Sequence, residues 1–371
     1  MLKYSNERIK GKILEHFNLG LHSGEFPRDW HHTIFRMLPK DGDARQVKNW
    51  RPIAILPIMY KAFARLIYNR ISPILFSWQS EQQHAFTPEK RIEDALLQAE
   101  VVIEYALEFN VPVWFLSMDL RKAFDTVSHE QLLLSLGYHG LDPTYIALLQ
   151  KLYQNQHGVV DGSKKFRIER GVKQGDVLSA IIFNCVLDVA FENWRVQLGT
   201  EGILISNSVS RLTDTRYADD VLLYAKSLEE LQKMTELLIV ELKKVGLELN
   251  AEKTKILHSS VEDDGANRDY VDINGDFVRV LHGNECHRYL GRFLSLSAPD
   301  RIQRELQNRK NHAWGSFHKH KKVILNHHVS LAKRLKFFDM CVSPSMLFAL
   351  VSLPLTRAQI EGIDILQRKM L

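Results

Sequence analysis

The sequence of 371 residues is poor in cysteine and has no long uninterrupted apolar run. Its three cysteines, Cys185, Cys286 and Cys341, are far apart and form no CxxC pair. This disfavours a disulfide framework and a structural zinc site, and it fits a reducing compartment. The longest apolar stretch, 177–191, is interrupted by an asparagine and an aspartate, so we expect no transmembrane segment and no membrane partner.

Several common enzyme motifs are also missing. We find no P-loop, no dinucleotide-binding fingerprint and no Ser-His-Asp order in the sequence. Residues 1–24 have no continuous apolar segment and no small-residue cleavage site, and they are typical of an amphipathic helix rather than a signal peptide. The sequence therefore disfavours ATPases of the P-loop type, dehydrogenases and serine hydrolases.

The charge of the chain is unevenly distributed. The formal net charge is +5, but residues 301–371 alone carry 13 Lys and Arg against 4 Asp and Glu, so the preceding part is slightly acidic. A basic helical lobe beside an acidic site would suit a protein that binds a phosphate backbone and a metal. The alternative is a solvated helical face. With 45% hydrophobic and 25% charged residues, the chain can bury a substantial core in two or three lobes.

The apolar periodicity changes along the chain. Apolar residues recur at three- and four-residue spacing in 59–75 and 93–109, so we expect the first 110 residues to be mostly helical. Residues 111–120 then predict a buried strand that ends in an acid, and hairpins are predicted around 161–162 and 274–275. Strands and helices mix without a regular βαβ rhythm, which predicts an α+β fold. Further helices are predicted over 176–196 and after Ser227.

Two adjacent aspartates, Asp219 and Asp220, lie between short apolar runs in RLTDTRYADDVLLYA, a pattern that predicts the tip of a hairpin. Mg²⁺ could neutralise such a pair, because it prefers one or two carboxylates together with water and substrate phosphate. Asp119 adds a third acid at the end of the predicted buried strand, where an ionised group needs a partner. Three carboxylates from two strands could hold two Mg²⁺ ions about 4 Å apart for phosphoryl displacement. A solvated turn is the alternative for the adjacent pair.

Several longer motifs follow one another along the chain. They are FRMLPKDGD (35–43), NWRPIAILPIMYKAFARLIYNRI (49–71), QHAFTPEKRIEDAL (83–96), SMDLRKAFDTVSH (117–129), GVKQGDVLSA (171–180), YADD (217–220), GLELNAEKTKIL (246–257) and YLGRF (289–293). Together they resemble the successive blocks of a reverse transcriptase, and the upstream blocks resemble the non-LTR retrotransposon (LINE-type) branch. The resemblance covers residues 35–295 and extends to the C-terminal LTRAQIEGIDILQRKML.

The resemblance implies roles for the residues that match these motifs. Asp119, Asp219 and Asp220 match the catalytic metal ligands, and the backbone carbonyl of Leu120 is an additional candidate oxygen ligand. Phe124 matches the aromatic residue that closes the space beneath the sugar and excludes the 2′-hydroxyl of a ribonucleotide. Without the flanking motif, core packing would be the better explanation for this phenylalanine.

Other matched residues are implied to bind the nucleotide. Lys40 and Arg51 match finger residues that clamp the triphosphate, where a guanidinium suits bidentate phosphate contact. Gln174 and Gly175 match the segment against the incoming nucleotide and template, where glycine lets the backbone approach a ligand. Lys253 matches a lysine near the leaving pyrophosphate, to which it could donate a proton.

The last matched block concerns the primer. Tyr289, Leu290 and Gly291 match the primer grip, a hairpin that supports the primer strand. Ala180 departs from the family, because many members have proline there, and this leaves the local turn geometry open. A basic hairpin that either contacts template phosphate or faces water contains Lys164, Lys165, Arg167 and Arg170.

The resemblance implies a right-hand polymerase of the α+β class, with an antiparallel palm sheet, helical fingers and a basic helical thumb. We expect fingers in 1–112 and a palm in 113–258, with a finger-side hairpin insertion near 150–172. A palm and primer-grip hairpin would follow in 259–295, and an incomplete thumb in 296–371.

The expected function is RNA-directed DNA synthesis by two-metal phosphoryl transfer. The expected cofactors are two Mg²⁺ ions, with Mn²⁺ as an alternative, and the expected partners are an RNA template, a DNA primer and dNTPs, while the oligomeric state stays open. The alternatives are a group II intron maturase or another palm polymerase, and a domesticated binder of nucleic acid without catalysis. Phe124 disfavours ribonucleotide use, and three clustered carboxylates disfavour a protein that needs only phosphate affinity.

The cellular context is implied by the resemblance alone. We expect an intracellular, nuclear protein, although we recognise no targeting signal. We also recognise no endonuclease block, zinc knuckle or RNase H set of acids, so we expect cleavage of the target site to come from elsewhere. The sequence does not determine which RNA is copied or how processively.

Overall fold

The computed structural model describes residues 5–40, 42–160, 163–205, 211–259, 268–296 and 300–370. Within these residues the α-helices are α1 (Glu7–Ser23), α2 (Ile58–Trp78), α3 (Ile92–Phe109), α4 (Ala123–Thr126), α5 (His129–Tyr138), α6 (Pro143–Tyr153), α7 (Val177–Gln197), α8 (Leu228–Lys244), α9 (Arg301–Ile324), α10 (Leu331–Cys341), α11 (Ser343–Leu347) and α12 (Arg357–Met370). The β-strands are β1 (His32–Pro39), β2 (Trp50–Ile55), β3 (Trp114–Met118), β4 (His157–Val160), β5 (Phe166–Arg167), β6 (Asp214–Tyr217), β7 (Asp220–Ala225), β8 (Lys255–His258), β9 (Tyr270–Ile273), β10 (Asp276–Leu281), β11 (His287–Tyr289) and β12 (Arg292–Leu294). The expected mixture of α and β structure is confirmed.

The chain divides into two compact units, and neither is continuous in sequence. The first unit consists of 1–86, 120–199 and 236–249, and the second unit consists of 87–119, 200–235 and 250–371. The chain therefore enters each unit three times.

The first unit is built around α7. Asp176 begins this helix, because its side chain accepts the N–H of Leu178 at 3.3 Å, as an N-cap residue does. Most of the helix is buried on every side, and α2 and α5 pack against it. A helix that is apolar all round is stable in water only when it is covered in this way.

The first unit also contains a four-stranded sheet with the order β2-β1-β4-β5. β1 pairs with β2 in antiparallel orientation and with β4 in parallel orientation. β1 and β2 fall in a stretch that the sequence did not predict as strand, because short apolar runs are compatible with either element. The predicted hairpin of β4 and β5 is confirmed by the pairing of His157 with Arg167, although its expected turn, 161–162, lies outside the described residues.

The second unit contains a six-stranded sheet with the order β6-β7-β3-β8-β10-β9. All five residues of β3 are buried, as expected for 111–120. The expectation of an antiparallel sheet is correct for every pair of this sheet except β10 and β8, which are parallel, with Val280 opposite Ile256. β9 lies at the outer edge of the sheet, and the β9–β10 hairpin places β10 between β9 and β8. β10 is therefore antiparallel to β9, its hairpin partner, and parallel to β8.

A predicted hairpin turn closes the outer edge of this sheet. Ile273 pairs with Asp276, and the two residues between them, Asn274 and Gly275, have φ angles of 53° and 88°. Positive φ at both central positions is the geometry of a type I′ turn, which favours an Asn-Gly pair. The predicted hairpin at 274–275 is therefore confirmed.

Two apolar cores are found among the described residues of the second unit. One lies between α3 and the six-stranded sheet, and it includes Leu96, Val102, Phe115 and Tyr224. The other lies among α9 to α12, and it includes Ala313, Phe317, Phe338, Val342 and Met370. Apart from the connections between them, the elements described after residue 300 are helices, as expected.

Two segments of the described residues are long and apolar enough to cross a membrane, which differs from our expectation that none would be. They are Val177–Gln197, which is α7, and Leu331–Ser352, which spans α10 and α11. The first is 72% buried, as a core helix is, and the second is 33% buried. Length and composition alone do not distinguish a core helix from a membrane span.

Candidate active site

The hairpin of β6 and β7 carries the two adjacent aspartates. Tyr217 pairs with Asp220, so Ala218 and Asp219 form a two-residue turn between the strands. Ala218 has a φ of +57°, which is rare for a residue other than glycine and costs about 1–3 kcal/mol. The predicted hairpin tip is confirmed, and its backbone is held in a strained conformation.

The sheet register brings the third aspartate beside this hairpin. β3 and β7 are antiparallel, and Met118 pairs with Val221. Asp119 follows Met118 and Asp220 precedes Val221, so the same register places these two aspartates opposite each other. Opposed residues of an antiparallel pair have Cα atoms roughly 5 Å apart. The second unit therefore gathers all three carboxylates that the sequence singled out.

Asp119 is held by the turn that precedes β8. The Asn250 side-chain amide donates to Asp119 Oδ2 at 2.8 Å, and the Asn250 backbone N–H donates to the Asp119 carbonyl at 2.8 Å. The Asp119 N–H donates to Thr254 Oγ1 at 3.2 Å, and this hydroxyl donates to the Asn250 carbonyl at 2.9 Å. Asn250 and Thr254 belong to the quoted NAEKTK stretch, but neither was predicted as a site residue.

Lys253 lies beside the carboxylates. Its Nζ is 3.8 Å from Asp119 Oδ1, and its side chain is 64% exposed. An exposed pair of this kind contributes little to stability, about 0–1 kcal/mol. The ammonium group is therefore free to move toward a ligand near Asp119.

The electrostatics of the site show the cost of grouping like charges. The pKa of Asp220 is raised to about 7. The main cause is desolvation of the carboxyl group by burial, and repulsion from the negative charges of Asp219 and Asp119 adds to it, while the positive charge of Lys253 opposes the rise. A cation at this position would relieve that repulsion.

The chemistry of the donor set fits a divalent cation such as Mg²⁺. In the part of the chain that the structure describes, no group of three His, Cys, Asp or Glu side chains is arranged to hold a metal ion by itself. Mg²⁺ does not require such a group, because it usually takes one or two carboxylates and completes its shell with water and phosphate. Asp119, Asp219 and Asp220 could supply oxygen ligands of this type, and the charges of the first two contribute to the raised pKa of Asp220.

The predicted primer-grip residues form a tight turn in the second unit. β11 and β12 are antiparallel, Tyr289 pairs with Arg292, and Leu290 and Gly291 connect them with φ angles of 47° and 79°. Tyr289 is buried. Its pKa is raised, mainly by burial and then by Tyr224 and Asp220, so its hydroxyl lies within electrostatic reach of the acidic site.

The predicted triphosphate ligands lie in the first unit, on its four-stranded sheet. Arg51 belongs to β2 and pairs with Leu38 of β1. Lys40 follows β1, and its N–H donates to the Asn49 carbonyl at 2.7 Å. Both residues therefore flank the connection between these two strands.

Gln174 contacts an acid that sequence analysis missed. Its side-chain amide donates to Asp125 Oδ1 at 3.5 Å. The pKa of Asp125 is raised by burial, against the opposing charges of Lys122 and Lys40. Asp125 directly follows Phe124 in the quoted FDTVSH motif, and this adjacency is the signal that could have identified it.

The backbone conformation and a close contact with β2 require glycine at position 175, independently of any ligand. Its φ is +114°, and a Cβ at this position would lie 3.0 Å from the Ala54 carbonyl oxygen. The Ala54 N–H donates to the Gln174 carbonyl at 2.8 Å. The segment that contains Gln174 and Gly175 is thus fastened to β2, the strand that carries Arg51.

Phe124 is fixed by packing within the first unit. Its ring stacks on Phe183 of α7, with centroids 4.4 Å apart and an interplanar angle of 18°. Its carbonyl accepts the Val172 N–H at 2.6 Å. Leu120, the candidate backbone ligand, also belongs to the first unit and forms an isolated antiparallel bridge with Leu249.

A buried polar group next to Gln174 was not predicted. Tyr60 Oη donates to Asp176 Oδ2 at 2.6 Å, and Lys173 Nζ lies 5.0 Å from the centre of the Tyr60 ring. Burial lowers the pKa of Lys173 to about 8, although Asp176 opposes this. Tyr60 is distant from the others in sequence, so no local pattern could have identified the group.

Comparison with known families agrees with these motifs. The family model described as reverse transcriptase (RNA-dependent DNA polymerase) matches residues 38–293, more than half of the chain. The chain belongs to the reverse transcriptase family. The resemblance to the non-LTR branch is confirmed by relatives from retrotransposable elements.

Two curated relatives of this reverse transcriptase family member come from transposable elements. The Transposon TX1 uncharacterized 149 kDa protein of Xenopus laevis is 27% identical over 73% of this chain and 20% of its own length. The Pol polyprotein of the retrotransposable element R2DM of Drosophila melanogaster is 27% identical over 68% of this chain and 24% of its own length. The chain therefore spans a quarter or less of these two relatives.

Among solved structures, apo telomerase from Candida tropicalis, truncated from its C-terminal domain, is similar to this family member. It has 13% sequence identity and a TM-score of 0.49 over 72% of this chain and 57% of its own.

Proposed function

We propose that the chain is an RNA-directed DNA polymerase that extends a DNA primer along an RNA template with dNTPs. The observation that carries the proposal is the register of β3 and β7, which sets Asp119 opposite Asp220 at the tip of the YADD hairpin. Membership of the reverse transcriptase family supports it. The same three carboxylates disfavour a binder without catalysis, because their repulsion serves no purpose in gripping phosphate.

The proposed roles of the acidic residues follow from their chemistry. Asp119, Asp219 and Asp220 would hold two Mg²⁺ ions, with the Leu120 carbonyl as a further oxygen ligand and Mn²⁺ as an alternative ion. When bound, the ions would supply activation of the primer 3′-hydroxyl and neutralisation of charge on the departing pyrophosphate. Asn250 would keep the Asp119 carboxylate oriented through its amide hydrogen bond.

The proposed nucleotide contacts come from cationic and aromatic side chains. Lys40 and Arg51 would bind the triphosphate, and Lys253 would donate a proton near the pyrophosphate, since its exposed ammonium already lies 3.8 Å from Asp119. Gln174 and Gly175 would contact the incoming nucleotide and template. Phe124 would lie beneath the sugar and exclude ribonucleotides.

The finer architecture is part of the proposal. A right-hand polymerase would have its fingers in 1–112, its palm in 113–258 with a finger-side hairpin insertion near 150–172, a palm and primer-grip hairpin in 259–295 and an incomplete basic thumb in 296–371. The six-stranded sheet that carries Asp119 supports the palm assignment. The helices after 300 support the thumb assignment. We propose a nuclear location for the protein, by family membership alone.

The proposal is tested by primer extension with purified protein on matched RNA and DNA templates, with dNTPs or NTPs, and with Mg²⁺ or chelator. We expect Mg²⁺-dependent incorporation of dNTPs on RNA. Asp219→Asn should reduce the rate by at least about a thousandfold, because the ligand loses its charge, while the affinity for a primer–template duplex stays nearly unchanged.

The matched control is Asp276→Asn. Asp276 directly follows the two-residue turn of the β9–β10 hairpin, and Asp219 is the second residue of the two-residue turn between β6 and β7. This variant should extend primers at the wild-type rate. Wild-type extension by Asp219→Asn, or incorporation by the wild-type protein that persists in chelator, would contradict the proposal.

A further inference from the structure

The primer-grip turn is hydrogen-bonded through its backbone to α9. Arg309 Nη2 donates to the Gly291 carbonyl at 2.6 Å. The Phe293 N–H donates to Glu305 Oε2 at 3.0 Å. Glu305 and Arg309 are therefore joined to two backbone atoms that are only two residues apart in the turn and β12.

Glu305 and Arg309 are themselves a buried ion pair. Arg309 Nε lies 2.5 Å from Glu305 Oε1, and the two side chains are 8% and 1% exposed for the arginine and the glutamate. The Arg309 guanidinium also lies 5.0 Å from the centre of the Phe348 ring. The guanidinium is thus fixed by three partners, namely a carboxylate, a carbonyl and an aromatic face.

Phe348 also packs closely against the turn and restricts which residue can occupy position 291. A Cβ on Gly291 would lie 3.2 Å from Phe348 Cε1, and Gly291 has a φ of +79°. The preceding Leu290 has a φ of +47°, a strained value for a leucine. A strained backbone persists only when its surroundings hold it in place, and here Arg309 and Phe348 provide that support.

The other side of the hairpin is tied to the strand that ends at the acidic site. His287 Nε2 lies 2.9 Å from Ser117 Oγ, and Ser117 is two residues before Asp119. Arg292 donates to Glu100 of α3 at 2.8 Å. The hairpin is therefore fixed to β3 at one end and to α9 at the other.

A buried ion pair is a poor way to gain stability alone, because the cost of desolvation offsets most of the attraction. Glu305 and Arg309, however, contact particular backbone atoms of the turn, which an apolar pair could not do. We propose that Glu305 and Arg309 are positioning residues that fix the primer-grip turn, and with it the primer 3′ end, relative to β3 and Asp119. This inference rests on the proposed function.

The expected consequence is a loss of rate rather than a loss of nucleotide affinity. A displacement of about 1 Å between reacting groups can cost a hundredfold in rate. Both residues belong to the second unit, whereas the predicted triphosphate ligands, Lys40 and Arg51, belong to the first. The KM for the dNTP should therefore be unchanged when the turn shifts.

The experiment measures single-nucleotide incorporation in the pre-steady state by wild-type protein, Arg309→Lys and Glu305→Gln. Lysine keeps the charge but lacks the planar fork that reaches a carboxylate and a carbonyl at once. The burst amplitude reports the fraction of competent enzyme, and the burst rate reports positioning. We expect a rate about tenfold lower at normal amplitude, with the dNTP KM unchanged for both variants.

The matched control is Arg357→Lys. Arg357 is 93% exposed, and like Arg309 it forms an ion pair with a glutamate four residues away on the same helix, here Glu361. A lower amplitude at the wild-type burst rate would show a merely structural role and would overturn the inference. Wild-type kinetics for Arg309→Lys would overturn it as well, while the proposed function would stand. If the wild-type protein extends no primer on any template, the proposed function fails and the inference fails with it.

Discussion

The position of Phe124 connects packing with substrate choice. The ring is stacked on Phe183, so its place is set by α7 rather than by a ligand. We predict that Phe124→Val raises the incorporation of ribonucleotides relative to deoxyribonucleotides by about tenfold, because the smaller side chain leaves room for a 2′-hydroxyl. The measurement is the ratio of kcat/KM for an rNTP and its matching dNTP on one RNA template.

The control for this prediction is Phe109→Ala, since Phe109 is 60% exposed and belongs to the second unit. Its ratio should equal that of the wild-type protein. An unchanged ratio in an active Phe124→Val variant would mean that another group selects the sugar.

A second residue-scale prediction concerns the buried Lys173. Burial lowers its pKa to about 8, while its unfolded value is near 10.5, and the titratable groups that interact with it are Asp176, His31 and His129. Between these two pKa values the unfolded chain binds more protons than the folded protein, so this lysine makes the protein more stable as the pH rises from 8 to 10. Lys173→Met removes this dependence.

The measurement is the melting temperature of wild type and Lys173→Met at pH 7 and pH 10. The melting temperature of Lys173→Met minus that of the wild type should be larger at pH 7 than at pH 10 by about 2 °C. The reason is that the folded wild-type protein buries a charged Lys173 at pH 7 but a neutral one at pH 10. Lys233→Met, at a 60% exposed lysine, is the control. A difference between wild type and Lys173→Met that is equal at both pH values would contradict the prediction.

At the scale of elements, the loop before α7 is shaped by backbone contacts. Gly171 has a φ of +83°, and a Cβ there would lie 2.6 Å from the Asp125 carbonyl oxygen. The Gly171 N–H donates to the Val127 carbonyl, and the Gly171 carbonyl accepts a hydrogen bond from His129 Nε2. The loop cannot move away from Asp125 without breaking these bonds, so Gly171→Ala should destabilise the protein by about 3 kcal/mol.

Gly315 in the middle of α9 is the matched control for Gly171→Ala. A Cβ at this position meets nothing within 4 Å, so Gly315→Ala should stabilise the protein by up to about 1 kcal/mol. Denaturant unfolding of the two variants tests both signs. A Gly171→Ala protein as stable as the wild type would show that the loop relaxes freely.

At the scale of the whole molecule, the basic C-terminal region should control the salt dependence of nucleic-acid binding. Lys319, Lys321 and Lys322 are exposed near the end of α9. Replacing all three with glutamine should weaken binding to an RNA–DNA duplex and reduce the slope of log K against log salt by about one unit for each lost phosphate contact. The slope is measured by fluorescence anisotropy at salt concentrations from about 50 to about 300 mM.

The control for the salt dependence is Lys233→Gln, which removes a cation that is already paired with Glu201. Its slope should match that of the wild type. A triple variant with an unchanged slope would mean that these lysines only solvate the helix, which is the alternative that the sequence left open.

The sequence by itself determined the local features on which the site depends. The strand that precedes Asp119, the turn that carries Asp219 and the Asn274-Gly275 hairpin were all predicted, because each depends on residues that are adjacent in the chain. The order of the motifs also indicated the family, and residues 38–293 match it. Patterns of period two and residues with special φ angles are local properties, so they are visible without a structure.

Only the tertiary structure decided how these features meet. The register of Met118 with Val221 sets Asp119 against Asp220, and the parallel pairing of β8 with β10 was not foreseen. Arg309 reaches the Gly291 carbonyl from another element, and Asn250 holds an aspartate more than a hundred residues earlier in the chain. Such contacts join segments that are distant in sequence, and their geometry depends on how whole elements pack, which no local periodicity encodes.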